Sequence, residues 1–291
     1  MKLFHTATLG FLLLFISTGT NAQKFYLDLK GGYGFPLASQ SIAVTDGSSK
    51  TQDNLVKGTF GKGMNLGLGF GMMVTNQMGL EIGTSYFNSA TIKSHDDYNS
   101  GGSHFMEEYE FSSSIIRITP ALRLTTTNEH VNAYARIGCV IGVNGYYEEK
   151  IKAAAYFSNP QGFNQSVELT QEYKGRVSTG FSGSLGLSYN ATQTFSIFIE
   201  GNGIAHSWAP KQGEITEFKE DGYDQLNSLS VSEREVEFVN EVTETSNPPL
   251  DEPTKSLKMY VPLSAIFINV GIQLRFGGTS KNKDAAAPQK N

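Results

Sequence analysis

Between Tyr173 and Tyr189 the chain reads YKGRVSTGFSGSLGLSY, and the alternation in this stretch decides the fold. Side chains of an extended strand point alternately to its two faces. Tyr173, Val177, Thr179, Phe181, Leu185, Leu187 and Tyr189 therefore share one face. Lys174, Arg176, Ser178, Gly180, Ser182, Ser184, Gly186 and Ser188 share the other. The stretch is long for a soluble strand, and its polar face is rich in Gly and Ser. An apolar side backed by a side of small polar and charged groups suits a barrel wall with lipid outside and a packed polar interior.

Working outward, seven more segments have the length of roughly 9 to 11 tilted residues that crosses a bilayer. They are Phe25 to Leu37, Gly61 to Val74, Met78 to Lys93, Tyr109 to Thr125, Val131 to Glu148, Phe195 to Ala209 and Met259 to Phe276, with Glu172 to Tyr189 as the sixth in order. Met64, Leu66, Leu68, Phe70 and Met72 oppose Gly63, Asn65, Gly67, Gly69 and Gly71; Ile116, Ile118, Leu122 and Leu124 oppose Arg117, Thr119, Ala121 and Arg123. Short connections (Thr75 to Gln77, Thr126 to His130, Asn190 to Thr194) alternate with long ones (Ala38 to Phe60, Ser94 to Glu108, Glu149 to Gln171, Pro210 to Lys258). This order predicts an all-β fold: an eight-stranded antiparallel up-and-down transmembrane β-barrel with short periplasmic turns and long extracellular loops. Pro120 and Pro262 each remove a ladder donor, so a bulge or a missing bond is expected at both. Phe25, Tyr189, Phe195 and Phe276 are expected in an aromatic girdle at the periplasmic level. Tyr33, Phe35, Tyr86, Tyr146, Tyr147, Tyr173, Trp208 and Tyr260 are expected at the outer one.

The N-terminus reads as an export signal. Lys2 precedes an apolar run from Ala7 to Ile16, and Thr20-Asn21-Ala22 is a small-residue cleavage site. The expected division is a signal peptide over 1–22, a barrel over 23–276 and a short periplasmic tail over 277–291. No later run is long enough for a spanning helix. The only cysteine is Cys139, which excludes an internal disulfide, a zinc framework and a lipidated cysteine at the cleavage point. The chain has 23 Lys and Arg against 28 Asp and Glu, too acidic for a nucleic-acid binder. Much of that acidity lies between Pro210 and Lys258, where twelve acids face five bases.

The last strand, NVGIQLRFG, carries Asn269, Gly271, Leu274 and Phe276. These resemble the terminal-strand signal that the assembly machinery reads in outer-membrane barrels. With the export signal and eight alternating segments, the chain resembles the small outer-membrane β-barrel family of the OmpA and OmpX type over about Phe25 to Phe276. The resemblance implies residence in the outer membrane of a Gram-negative bacterium, contact with outer-membrane lipid and with the barrel assembly machinery, a monomer, and no cofactor. The tail after Phe276 is too short for a peptidoglycan-binding domain, so anchoring to the cell wall does not carry over.

An eight-stranded barrel is filled by its own side chains. The inward faces hold Asp28, Lys30, Glu81, Arg117, Arg123, Arg136, Arg176, Glu200 and Arg275, and buried charges persist only when paired or hydrated. A plug of charge pairs is the expectation, serving packing or limiting ion leakage. Catalytic signals are weak. His206 and Ser207 are adjacent, hence on opposite faces, and cannot form a base and nucleophile pair with each other. His206 with another Ser or Asp leaves a lipid-modifying enzyme, by acyl transfer or deacylation, as the alternative to a non-enzymatic barrel. His95, Asp96, Asp97 and His104 have metal-ligand chemistry without metal-ligand spacing, and no metal site is expected. In Ser230 to Ser246, Glu233, Glu235 and Glu237 alternate with Arg234, Val236 and Phe238. Two readings stand for this last loop: a protruding strand hairpin able to capture a protein partner, or a hydrated acidic loop.

Overall fold

The computed structural model describes residues 24–37, 40–46, 53–100, 103–157, 164–243 and 249–277. The export signal, most of the tail and the cleavage site lie outside them. Eight strands form the wall: β1 (Lys24–Pro36), β4 (Gly63–Met73), β5 (Met78–Ser89), β7 (Ser103–Thr125), β8 (Val131–Phe157), β10 (Ser178–Asn190), β11 (Phe195–Trp208) and β17 (Ala265–Phe276). Each pairs antiparallel with the next, and β1 closes the ring on β17 through the register Phe25 opposite Phe276 to Pro36 opposite Ala265. The expected eight-stranded up-and-down barrel is the fold. Closure leaves no free sheet edge at membrane depth, the condition a β-structure must meet in hydrocarbon.

Alternation sorts the wall. Met64, Leu66, Phe181, Leu185 and Val270 point outward and are more than half exposed, as a lipid-facing belt requires. Asp28, Glu81, Arg117, Arg136, Glu200 and Asn269 point inward and are buried. Inward glycines make room for rings lying across them from neighbouring strands. A Cβ on Gly71 would stand 2.1 Å from the Tyr26 ring, on Gly186 2.3 Å from Tyr134, and on Gly271 2.5 Å from Phe198.

The stretch from Tyr173 to Tyr189 is not one strand. Gly175 has φ of +143°, a value that L side chains rarely adopt, and the chain breaks there. Tyr173 and Lys174 belong instead to β9 (Gln165–Gly175), and the lipid-facing alternation begins at Val177. Three of the long connections are not loops either. Strands β7 and β8 run on past the barrel rim and pair with each other as far as Ser103 opposite Phe157. To this ribbon are added β6 (Ile92–Ser100) on one side and β9, β12 (Gln212–Glu220), β14 (Glu235–Val239) and β15 (Thr254–Leu257) on the other. The result is an extramembrane sheet continuous with the barrel wall. A separate hairpin, β2 (Gln40–Asp46) with β3 (Asp53–Gly58), occupies the first long connection. Two-residue pairings complete the strands: β13 (Tyr223–Asp224) on β12 and β16 (Val261–Pro262) on β11.

The prolines act as their chemistry requires. Opposite β8 the ladder skips Thr119 and Pro120, and Pro262 sits in the short β16, cut off from β17 by Leu263 and Ser264. A further irregularity was not anticipated. Between Ser114 and Ile116 of β7 the partner strand carries one extra residue at Asn144–Gly145, and Asn144 adopts φ of 51°. This bulge shifts the phase of β8 by one residue. Gly145 and Tyr147 therefore face inward where straight alternation would send them out.

The main apolar core consequently sits at the outer mouth, not at mid-membrane. Phe60, Phe111, Tyr147, Tyr173, Trp208, Phe238, Val261 and Leu263 form one buried cluster. Three residues expected in the outer aromatic girdle are thus corrected. Tyr147 is turned in by the bulge, Tyr173 lies on the extramembrane sheet against it, and Trp208 shares the inward face of Glu200. Tyr33, Phe35, Tyr86 and Tyr260 are exposed as a girdle demands, and so are Tyr189 and Phe276 at the other end.

Candidate functional site

The lumen holds three carboxylates, each from a different strand: Asp28 from β1, Glu81 from β5 and Glu200 from β11. Arg136 of β8 reaches all of them, pairing with Asp28, with Glu200, and with Glu81 at 2.9 Å. Lys30 pairs with Glu200 at 3.0 Å, and Arg123 lies 3.4 Å from Asp28 and 4.0 Å from Glu81. Neutral donors complete the shells. Gln273 donates to Asp28 (2.7 Å), Tyr26 to Glu81 (3.1 Å), and Tyr134, Ser184 and Asn269 to Glu200 (3.3 Å each). The Arg123 and Arg136 guanidinium groups also stack on Tyr134 at 4.4 and 4.7 Å from its centroid. Three acids thus face three bases in a water-poor space, the arrangement that buried charge tolerates.

Six of the nine lumen charges named from the sequence meet in this cluster. The other three do not. Arg117 is fully buried nearer the outer mouth, sandwiched between Phe87 and Phe267 at 4.5 and 5.4 Å, and donates to the Leu263 carbonyl. Arg176 stands beyond the break at Gly175 and donates to the Phe238 carbonyl at 2.8 Å, tying the barrel to the extramembrane sheet. Arg275 lies at the short-turn end, bound to Asn190 and Ser196. Sequence reading missed Tyr26, Tyr134 and Gln273 as cluster members. All three have inward parity on strands already placed, so the phase of Asp28, Arg136 and Arg275 was the available signal.

Above the cluster the aromatic core closes the mouth. The Tyr147 ring packs 5.4 Å from Phe60 and 5.0 Å from Tyr173, and Tyr173 lies 5.9 Å from Phe238. The Trp208 indole donates to the Arg176 carbonyl at 2.8 Å. Beneath this cap His206 meets a serine after all, the Ser178 hydroxyl, 2.8 Å from Nε2. Both residues face the lumen. His206 is only 3% exposed, and its Nδ1 has no partner. Among the described residues no acid orients this Ser–His pair, the third group that activates a serine nucleophile in a triad.

On the extramembrane sheet His104 pairs with Asp97 across β6 and β7 at 2.5 Å, and no metal-binding cluster occurs among the described residues. The acidic stretch from Ser230 divides. Ser230 caps a helical turn, Val231–Arg234, and β14 follows it, antiparallel to β12 and parallel to β15. Of the four terminal-strand residues, Asn269 and Gly271 face inward, on Glu200 and under Phe198, while Leu274 and Phe276 face out.

A closed ring of eight strands with an apolar wall and a filled polar lumen defines a small transmembrane β-barrel of the outer-membrane type. Solved structures similar to it include Ail, the attachment invasion locus protein of Yersinia pestis, in complex with the heparin analogue sucrose octasulfate. That match has 10% identity, a TM-score of 0.33, and covers 88% of this chain and 100% of that one. Neisserial surface protein A is similar at 10% identity and a TM-score of 0.31, over 89% and 100%. The outer membrane protease OmpT from Escherichia coli is similar at 9% identity and a TM-score of 0.28, over 89% and 99%. No protein-family model matches the chain, and no curated protein matches it by sequence. The fold therefore stands on the strand pairing itself.

Proposed function

We infer that this chain is a non-enzymatic outer-membrane barrel protein whose role is surface interaction, with the barrel serving as a sealed pedestal. Residues 1–22 direct export and are removed near Ala22, 23–276 form the barrel with its extramembrane sheet, and 277–291 remain in the periplasm. The observation that carries this reading is the extramembrane sheet. It is rooted in the barrel wall through β7 and β8, held down by the aromatic core, and open at the β6 and β15 edges among the described pairings. A rigid sheet with open edges can take up an extended segment of a partner by strand addition. The density of acids around β12 and β14 favours a basic partner.

The experiment is binding of the protein in lipid nanodiscs to a panel of extended basic peptides. A variant with Leu257→Pro on β15 is the comparison: the next N–H, of Lys258, donates inward to the Val239 carbonyl, so the Leu257 N–H that proline removes faces the open edge. Saturable binding weakened by the proline supports the reading, and no binding in any member of the panel contradicts it.

The Ser178–His206 contact is the one observation that favours a second reading, the lipid-modifying enzyme. Labelled phospholipid and lipopolysaccharide should be left unchanged by the folded protein. Turnover that disappears in His206→Ala would replace the non-enzymatic assignment.

A further inference from the structure

The barrel is open at its short-turn end, where a cavity of about 320 Å³ enters the lumen beneath the charge cluster. That volume is at the lower end of the roughly 300–1,000 Å³ typical of ligand pockets. Its charge is not balanced. Asp28, Glu81 and Glu200 are matched by Lys30, Arg123 and Arg136 within the cluster. Among the described residues Arg275, on the cavity wall, has only neutral partners: the Asn190 amide oxygen at 2.6 Å and the Ser196 hydroxyl. Its Nε, like that of the buried Arg123 on the same wall, has no hydrogen-bond partner. Lys24 adds a third cation to the lining, and among the described residues Glu129 is its single carboxylate. Asn128, Asn132 and Ser188 supply neutral polar groups, while Phe25 and Met73 give one side an apolar surface.

From these groups we propose that the periplasmic mouth of the barrel is a binding site for a small organic anion, one carboxylate or phosphate monoester on a short apolar body. The anionic head meets Arg275, whose guanidinium donates a charge-assisted, two-pronged contact to it that is stronger than those to its present neutral partners. The body lies against Phe25 and Met73. Glu129 at the opening disfavours a second anionic group on the body. The site is separate from the extramembrane sheet and does not depend on what that sheet binds.

Phenyl phosphate and benzyl alcohol, added in turn to the isotope-labelled full-length protein in lipid nanodiscs, distinguish anion recognition from a plain apolar hole. Phenyl phosphate should give saturable amide shifts in the millimolar range at Asn128, Asn132 and Ser188, and benzyl alcohol should give none that saturate. Arg275→Gln should weaken phenyl phosphate about tenfold or more, whereas Arg275→Lys, which keeps the charge but loses the two-pronged contact, should fall between the wild type and Arg275→Gln. Equal binding of the two probes, the absence of saturable shifts in the folded wild type, or an Arg275→Gln protein that binds like wild type would each overturn the site. The comparison of the two probes on the wild type decides the matter even where a variant does not fold.

Discussion

Arg136 is the residue on which the interior depends, because it alone touches all three buried carboxylates. Removing one partner of a buried ion pair leaves uncompensated charge and costs about 3 to 5 kcal/mol. Arg136→Met should therefore lower the unfolding free energy obtained from denaturant titration of the folded barrel by an amount in that range. Lys30→Met should cost less, since Lys30 contacts one carboxylate and retains some solvent exposure. A second residue-scale expectation concerns Glu149, outside the membrane on β8. Burial raises its pKa, only partly opposed by the hydrogen bond from Tyr173. A carboxyl whose folded pKa exceeds its unfolded value stabilises the folded state at low pH, and that stabilisation is lost as pH rises through the folded value. The extramembrane sheet should thus exchange its amides more slowly, after correction for intrinsic rate, as pH falls from neutral toward the ordinary carboxylate range. Glu149→Gln should abolish that dependence. At this scale the sequence was informative about facing: Asp28, Glu81, Arg123, Arg136 and Glu200 all fall where parity put them. It could not supply distances, and it put Arg176 in the lumen because nothing but a glycine marks the break that carries it outside.

Among the elements, β8 is the one whose behaviour could not be read from residue types. Its first thirteen residues, Val131 to Val143, alternate regularly, and the Asn144–Gly145 bulge then reverses the phase. Tyr147 goes inward as a result, and the aromatic cap is built on it. The long connections escaped for a related reason. Stretches such as His95 to Asp97 and Glu107 to Glu110 are charged on both faces, and strands without an apolar face give no period-2 signal. Their pairing is carried by the ribbon they extend. The bulge makes a prediction. A Cβ on Gly145 would stand 2.3 Å from the indole of Trp208, the only tryptophan of the chain. Gly145→Ala should displace that ring from its buried seat, shift the fluorescence emission to the red and increase quenching by acrylamide, with a stability loss of about 1 to 3 kcal/mol from overpacking. Unchanged emission would place Trp208 elsewhere than in the cap.

At the scale of the whole molecule, a ring of eight strands divides three environments. Lipid meets Leu, Ile, Phe and Met on the outer wall, the lumen is filled by a balanced charge cluster, and the outer mouth is closed by aromatics. Strand number, closure and the direction of the short turns were legible in the sequence, because lipid outside and polar packing inside impose alternation on every crossing. The extramembrane sheet was legible only at Glu235 to Phe238, where one of two readings was a protruding strand, since only a few of its residues, such as Tyr173 and Phe238, are buried and they impose no alternation along its other strands. The central claim is that this wall sits in hydrocarbon, and the chain carries its own probe for it. Cys139, the only cysteine, is exposed on the outer wall of β8 opposite Phe181 and between the outward-facing Ile137 and Ile141. A spin label on Cys139 of the protein in bilayers should collide often with oxygen and rarely with a water-soluble nickel chelate. Frequent collision with the nickel chelate would contradict a membrane-spanning wall at this position, and with it the barrel's place in the bilayer.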